Sequence, residues 1–144
     1  MCIRDRVHIV FNEEEVHHFL LPREGVLYSW LVKNDEGEVT DFISFYALNT
    51  SVLSHPDHDK IYAAYGYYNF VEGNEKERFL QLMQDSLILA HKRDFDVYNI
   101  TEVLKHGYIA DELKFKIGDG KLNHYLYNFL TSHVESKDIG IVLV

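Results

Sequence analysis

Val26-Leu27-Tyr28-Ser29-Trp30-Leu31-Val32 and Val39-Thr40-Asp41-Phe42-Ile43-Ser44-Phe45-Tyr46 flank the polar tetrapeptide Asn34-Asp35-Glu36-Gly37. Two β-branched and aromatic runs joined by a short Asn/Asp/Gly segment predict an antiparallel hairpin. In the second run, Val39, Phe42 and Phe45 read as the apolar face, and Thr40 and Asp41 as polar. Residues 61–70 (IYAAYGYYNF) supply a third, aromatic strand. A turn at 71–74 leads into the clearest helix, 75–92, whose Phe79, Leu82, Met83, Leu87 and Ala90 fall on one stripe. Upstream, Asn12 is placed to cap a helix over 13–20, with acids in its first turn and Pro22 just beyond. Downstream, 95–100 reads as a short strand and 101–106 as a short helix, with another over 109–113. Residues 115–117 lead into Gly118-Asp119-Gly120, 122–130 (LNHYLYNFL) leave it as a strand, and 139–144 form an apolar final strand. Residues 49–59 are polar, contain Pro56, and read as a loop or short helix. This order is α+β with a largely antiparallel sheet.

The 144 residues allow one domain, and 47% hydrophobic with 26% charged residues is a globular composition. A net charge of −9 argues against a general nucleic-acid binder, which needs a basic face to neutralise phosphates. No apolar run approaches the roughly 20 residues that cross a bilayer, so no transmembrane segment is expected. The single cysteine, Cys2, permits neither an intrachain disulfide nor a thiolate metal site, and fits a reducing, cytoplasmic setting. Met1-Cys2-Ile3-Arg4-Asp5-Arg6 resembles the translation of a sequencing-library adapter and is set aside from the fold. On that reading the natural chain starts earlier, and residues 7–144 are a fragment of it.

Local chemistry is sparse. His55-Pro56-Asp57-His58-Asp59 has ligand types, but its proline points to a solvated loop rather than converging metal ligands. Glu13–His17 and Glu14–His18 read as exposed helical pairs. There is no phosphate-binding GxxxxGK[ST], no GxSxG and no HExxH. Gly118-Asp119-Gly120 fits, by local pattern, an Asp-Gly hairpin turn first, and second a groove floor where a carboxylate and bare amides let a ligand come close. Chain ends are usually polar and frayed, yet Gly140-Ile141-Val142-Leu143-Val144 is apolar to its last residue. Burying such a tail draws an ionised α-carboxylate inward, where it needs a partner or a purpose. The alternatives are an edge strand whose last carboxylate reaches solvent, or truncation at this end.

Lys114-Phe115-Lys116-Ile117-Gly118-Asp119-Gly120 followed by Tyr125-Leu126-Tyr127-Asn128 resembles the C-terminal signature of the N-myristoyltransferases. Gly37-Glu38-Val39-Thr40-Asp41-Phe42, Ser44-Phe45-Tyr46, Ala63-Ala64-Tyr65, Phe95-Asp96-Val97-Tyr98-Asn99 and the final Gly140-Ile141-Val142-Leu143-Val144 match the same half in the same order. The resemblance covers 7–144 and implies a GNAT-like acyl-CoA N-acyltransferase fold, of which this chain is one of two pseudo-symmetric halves. It implies transfer of myristoyl from myristoyl-CoA to the amine of an N-terminal glycine. No cofactor is implied; myristoyl-CoA is a co-substrate held mainly by the other half. By the same resemblance, the C-terminal carboxylate of Val144 is the catalytic base, and the spacing from Asp119 marks Val144 as the true terminus. Thr50, Ile61, Tyr65, Val97, Asn99, Asp119, Gly120 and Leu122 are peptide-groove positions. Thr50 replaces a usual serine and keeps its hydroxyl, whereas Lys116 stands where the signature has glycine. The fragment is expected to be inactive alone. The competing expectations are a stand-alone peptide-binding module without chemistry, and a structural orphan with an exposed apolar sheet edge.

Overall fold

The computed structural model describes residues 7–104, 106–128 and 130–142. In chain order the elements are β1 (Val7–His8), α1 (Glu13–Leu20), β2 (Leu27–Lys33), β3 (Val39–Ala47), β4 (Thr50–Ser51), β5 (Lys60–Ile61), β6 (Ala63–Val71), α2 (Lys76–His91), β7 (Val97–Asn99), α3 (Gly107–Ala110) and β8 (Ile139–Gly140). The central sheet runs β2-β3-β6-β7. The first three strands are antiparallel; β7, reached through α2, is parallel to β6. The expected hairpin is the β2–β3 pair, with Tyr28 opposite Phe45 and Trp30 opposite Ile43. Its turn is tied by Asn34, whose Oδ1 accepts from the backbone N–H groups of Glu36 and Glu38. Gly37, at φ 85°, supplies the left-handed residue the turn needs.

The polarity of β3 differs from the sequence-based expectation. Val39 is exposed and Asp41 is buried. Asp41, Ile43 and Phe45 form the face beneath α2, and Phe42, Ser44 and Tyr46 the opposite one. Aspartate tolerates the buried face because Arg78, from the first turns of α2, meets its carboxylate: Nη2 and Nε lie 2.6 and 3.1 Å from Oδ2. The stripe of α2 is close to expectation. Phe79, Leu82, Met83 and Ala90 are buried, each large side chain contributing about 1.5–3 kcal/mol. Ser86 takes the buried place expected for Leu87, and its hydroxyl lies 2.9 Å from that of Tyr98 in β7. Burial raises the Tyr98 phenol far above its ordinary pKa, so this bond joins two neutral hydroxyls.

The expected single strand over 61–70 is interrupted at Tyr62, whose N–H donates to the Asp96 carboxylate. A bulge follows. Ile43 pairs with Asn69 and Phe45 with Gly66, so Ser44 faces both Tyr67 and Tyr68. The Ser44 hydroxyl donates to the buried Tyr68 carbonyl at 2.8 Å. Ser44→Ala is expected to cost about 1 kcal/mol by leaving that carbonyl unpaired, read as a fall in the urea midpoint at constant m-value.

Several expectations fail for non-local reasons. The described residues of 101–106 are turn, bend or irregular, not helix; Leu104 sits at φ 53°, which ends any helical run. Helix α3 forms over 107–110, earlier than expected. Within 49–59, Thr50–Ser51 pairs with Lys60–Ile61 as a small hairpin. The described part of 122–130 is not a strand; Tyr125, Tyr127 and Leu130 are almost fully exposed. A strand needs a neighbour for its backbone groups, and the described residues offer this run none. The last strand covers only Ile139–Gly140, parallel to β1; Leu143, Val144 and residues 1–6 lie outside the described residues.

Candidate functional site

The parallel contact of β6 and β7 places Val97 opposite Ala63, Tyr98 opposite Ala64 and Asn99 opposite Tyr65. The β4–β5 hairpin, which leads into β6, pairs Thr50 with Ile61. Five of the positions that the family resemblance assigns to a peptide groove, Thr50, Ile61, Tyr65, Val97 and Asn99, therefore gather at one end of β6. Main-chain bonds fix their frame: Leu48 N–H to the Ala63 carbonyl at 2.9 Å and Asp96 N–H to the Tyr62 carbonyl at 2.8 Å.

Tyrosines extend this edge across the sheet face opposite α2. The Tyr46 ring stacks on Tyr65 at 5.4 Å and meets Tyr67 edge-on at 5.8 Å, while Tyr67 contacts Tyr68 at 4.6 Å. Burial pushes the Tyr67 phenol up to about 12, helped by Tyr68 and Tyr46 and opposed by Arg23. Tyr46 and Tyr68 are raised by burial as well. At neutral pH these phenols stay protonated, so they can donate and accept hydrogen bonds but cannot serve as bases. Their row offers rigid, amphipathic contact area of the kind that seats a peptide.

The apolar tail reaches the same face. Val142 is buried with Leu27, Tyr67, Tyr68 and Val103, and Tyr46 packs against that cluster. Its N–H approaches the Tyr68 hydroxyl without hydrogen-bond geometry, so that buried hydroxyl has no partner among the described residues. Val144 lies outside the described residues.

Asp119, Gly120 and Leu122 are not drawn into this cluster. They sit in an exposed segment without regular structure, with Asp119 at a bend. A hairpin turn is absent there, and neither Gly118 nor Gly120 has a positive φ. No atom would lie within 4 Å of a Cβ on either. The chain's own packing does not demand these glycines, which leaves their backbone open to approach from outside.

Two buried polar groups were missed in the sequence reading. His106 is fully buried; its Nδ1 lies 3.0 Å from the Thr101 carbonyl and its Nε2 2.7 Å from Asn69 Nδ2. A carbonyl only accepts, so Nδ1 carries the proton and Nε2 accepts from the Asn69 amide. Burial pushes His106 down to about 4, against a small opposing effect of the Thr101 carbonyl, so the ring is neutral at pH 7. The Asp41–Arg78 pair is the second. A polar residue out of step within an apolar strand was its only trace. Among the described residues, no cluster of three His, Cys, Asp or Glu side chains could hold a metal ion. No helix among them is long and apolar enough to cross a membrane.

Comparison with known proteins gives these elements a context. The family described as Myristoyl-CoA:protein N-myristoyltransferase, C-terminal domain, matches residues 3–142. The chain is 44% identical over 136 residues to glycylpeptide N-tetradecanoyltransferase 1 of Arabidopsis thaliana, covering 93% of this chain and 31% of that protein. It is 42% identical over 134 residues to glycylpeptide N-tetradecanoyltransferase 2 of Bos taurus, covering 93% of this chain and 26% of that protein. The chain thus spans under a third of these relatives. A crystal structure of Saccharomyces cerevisiae N-myristoyltransferase with bound myristoyl-CoA superimposes with a TM-score of 0.72 at 28% identity, over 77% of this chain and 30% of that one. An aminoglycoside acetyltransferase from an uncultured soil metagenomic sample shares the fold alone: TM-score 0.54, 13% identity, 87% of this chain and 79% of that one. The mixed sheet with its α2 crossover is a GNAT-like acyltransferase fold, as expected from the sequence. With a family match spanning almost all of its length, the chain belongs to the N-myristoyltransferase family as a C-terminal domain.

Proposed function

We propose that this chain is the peptide-binding half of an enzyme that moves myristoyl from myristoyl-CoA to the α-amine of an N-terminal glycine. The observation that carries the reading is the convergence on one sheet face. The Tyr65–Asn99 rung, the stacked Tyr46 and the inward-running tail at Val142 meet there. In the reading, Thr50, Ile61, Tyr65, Val97 and Asn99 hold the peptide's first residues. Asp119, Gly120 and Leu122 close over the following ones, and the carboxylate suits a cationic side chain. The Val144 α-carboxylate, two residues beyond Val142, accepts the proton.

The chemistry follows from the ionisation of the partners. A free α-amine has a pKa of about 7.7–8.0, so most of it is protonated at pH 7 and cannot attack a thioester. A fixed carboxylate first holds the ammonium, then takes its proton as water leaves. Desolvation raises the carboxylate pKa and lowers that of the amine, which makes the transfer easier. The freed nitrogen attacks the thioester carbonyl and the CoA thiolate departs with a proton. Glycine is required because a side chain would collide where amine and thioester meet. Donors for the developing oxyanion are not assigned to this chain, so transfer is expected only beside an acyl-CoA-binding half.

The test is a graft. This chain replaces the matching 136 residues of the Arabidopsis relative. The graft should acylate a glycyl peptide, and the chain alone should bind the peptide without turnover. Appending one alanine after Val144 should lower turnover at least tenfold while leaving peptide affinity within about threefold. A soluble graft that binds both substrates yet shows no transfer would leave a peptide-binding module. Undiminished turnover after the extension would remove the terminal carboxylate from the mechanism.

A further inference from the structure

Strands β6 and β7 pair over only three residues, although β6 continues to Val71. The Tyr65–Asn99 rung is the last before they part. Two features mark the place where they part. The Tyr67–Tyr68 bulge opposite Ser44 adds twist to β6 at that point. Just before it, Gly66 packs so closely against the residue that follows β7 that a Cβ would lie 3.0 Å from Ile100 Cγ2. Past the fork no β6–β7 ladder remains, and a side-chain bridge crosses the gap instead. Asn69, on β6, donates to His106 Nε2, and His106 Nδ1–H donates back to Thr101, two residues beyond β7. The ring is fully buried and lies parallel to Phe79 of α2 at 6.0 Å, so it touches the bulged strand, the segment leaving β7 and the crossover helix together.

We propose that His106 is a positioning residue: its neutral ring pins β6 to the chain leaving β7 and so sets the Tyr65–Asn99 rung where the peptide amine docks. The pin itself stands on geometry, whereas its consequence for the peptide rests on the function proposed above. Two consecutive hydrogen bonds through one planar ring define the fork more tightly than apolar packing, because each fixes an angle as well as a distance. Loss of the pin lets β7 shift relative to β6, which misplaces Asn99 without touching any group that handles acyl-CoA.

The experiment uses four variants in the chain and in the graft. His106→Phe keeps an aromatic ring on Phe79 and deletes both bonds. His106→Gln keeps an acceptor for Asn69. His106→Asn keeps a donor for Thr101. Asn69→Ala cuts the bridge from the β6 side and leaves the buried ring in place. In the chain, amide exchange at Tyr65 and Asn99 should speed up at least tenfold in His106→Phe and Asn69→Ala, with His106→Gln within threefold of the parent. Ring-nitrogen NMR should show Nδ1 protonated and Nε2 bare. In the graft, KM for a glycyl peptide should rise at least fivefold in His106→Phe, with KM for myristoyl-CoA unchanged and His106→Gln restoring the parent value. If His106→Phe does not fold, Asn69→Ala carries the same readings. Unchanged exchange in a folded Asn69→Ala variant, or an Nε2-protonated ring, overturns the pin. Faster exchange with no change in peptide KM keeps the pin and refutes the placement of peptide at this rung.

Discussion

Arg78→Met is expected to lower the unfolding free energy by about 3–4 kcal/mol, because it breaks a buried ion pair from one side. Asp41 is 2% exposed and receives both Arg78 nitrogens on one carboxylate oxygen, with the Thr40 hydroxyl donating to the same atom at 3.0 Å. Methionine fills the space of the arginine stem but leaves a buried carboxylate with a single neutral donor. Asp41→Asn combined with Arg78→Met removes the charge as well as its partner and should recover more than half of the loss. Urea melts of the three proteins check this. A loss below 1 kcal/mol would mean that Asp41 is hydrated or otherwise paired. The pair joins the start of α2 to β3, and α2 is the crossover that carries the chain from β6 to β7. Its loss should therefore also loosen the rung of Tyr65 and Asn99.

What could be read from the sequence was whatever is encoded locally. Helix α2 shows itself through spacing, because Phe79, Leu82, Met83 and Ala90 lie at i, i+3, i+4 and i+11, on one helical face. The β2–β3 hairpin shows itself through Asn34 and Gly37, whose side-chain chemistry and backbone freedom define a turn without outside help. The frame of β3 was misread because Asp41 looked like a surface residue, and only the distant Arg78 makes its burial tolerable. The run over 122–130 was misread because alternating aromatics describe what a strand could be, whereas pairing decides what it is. The expected groove positions came from family resemblance alone. Thr50 with Ile61, and Tyr65 with Asn99, adjoin in space only through registers that no single segment specifies. His106 gave no sign at all: one histidine in a turn between two short elements carries no periodicity, and its role needs Asn69, 37 residues away, to be visible.

That buried ring gives the chain a second large and separable response, this time to acid. His106 goes from an ordinary 6.5 to about 4 in the folded protein because burial penalises its charged form. The unfolded chain therefore binds the proton more readily than the folded one throughout that interval. The sign follows: the contribution of the neutral ring is complete above pH 6.5 and is lost as pH falls toward 4. The loss should reach about 2 kcal/mol at pH 5 and about 3 kcal/mol below pH 4. Its recorded contacts, Asn69 on β6, Phe79 on α2 and the Thr101 carbonyl, carry no charge that could compensate an imidazolium. Protonation of Nε2 would also set two donors against each other, since the Asn69 amide already donates to it. The side-chain amide could turn its oxygen to the ring, which would ease the penalty and make Asn69→Ala more acid-sensitive than the parent. His106→Gln cannot titrate, so subtracting its stability profile from that of the parent isolates the ring from every other ionising group. The difference curve should be flat above pH 7 and fall by about 2 kcal/mol between pH 6.5 and 5. A flat difference curve across that window would place water or a carboxylate against His106, and the neutral pin would have to be abandoned with it.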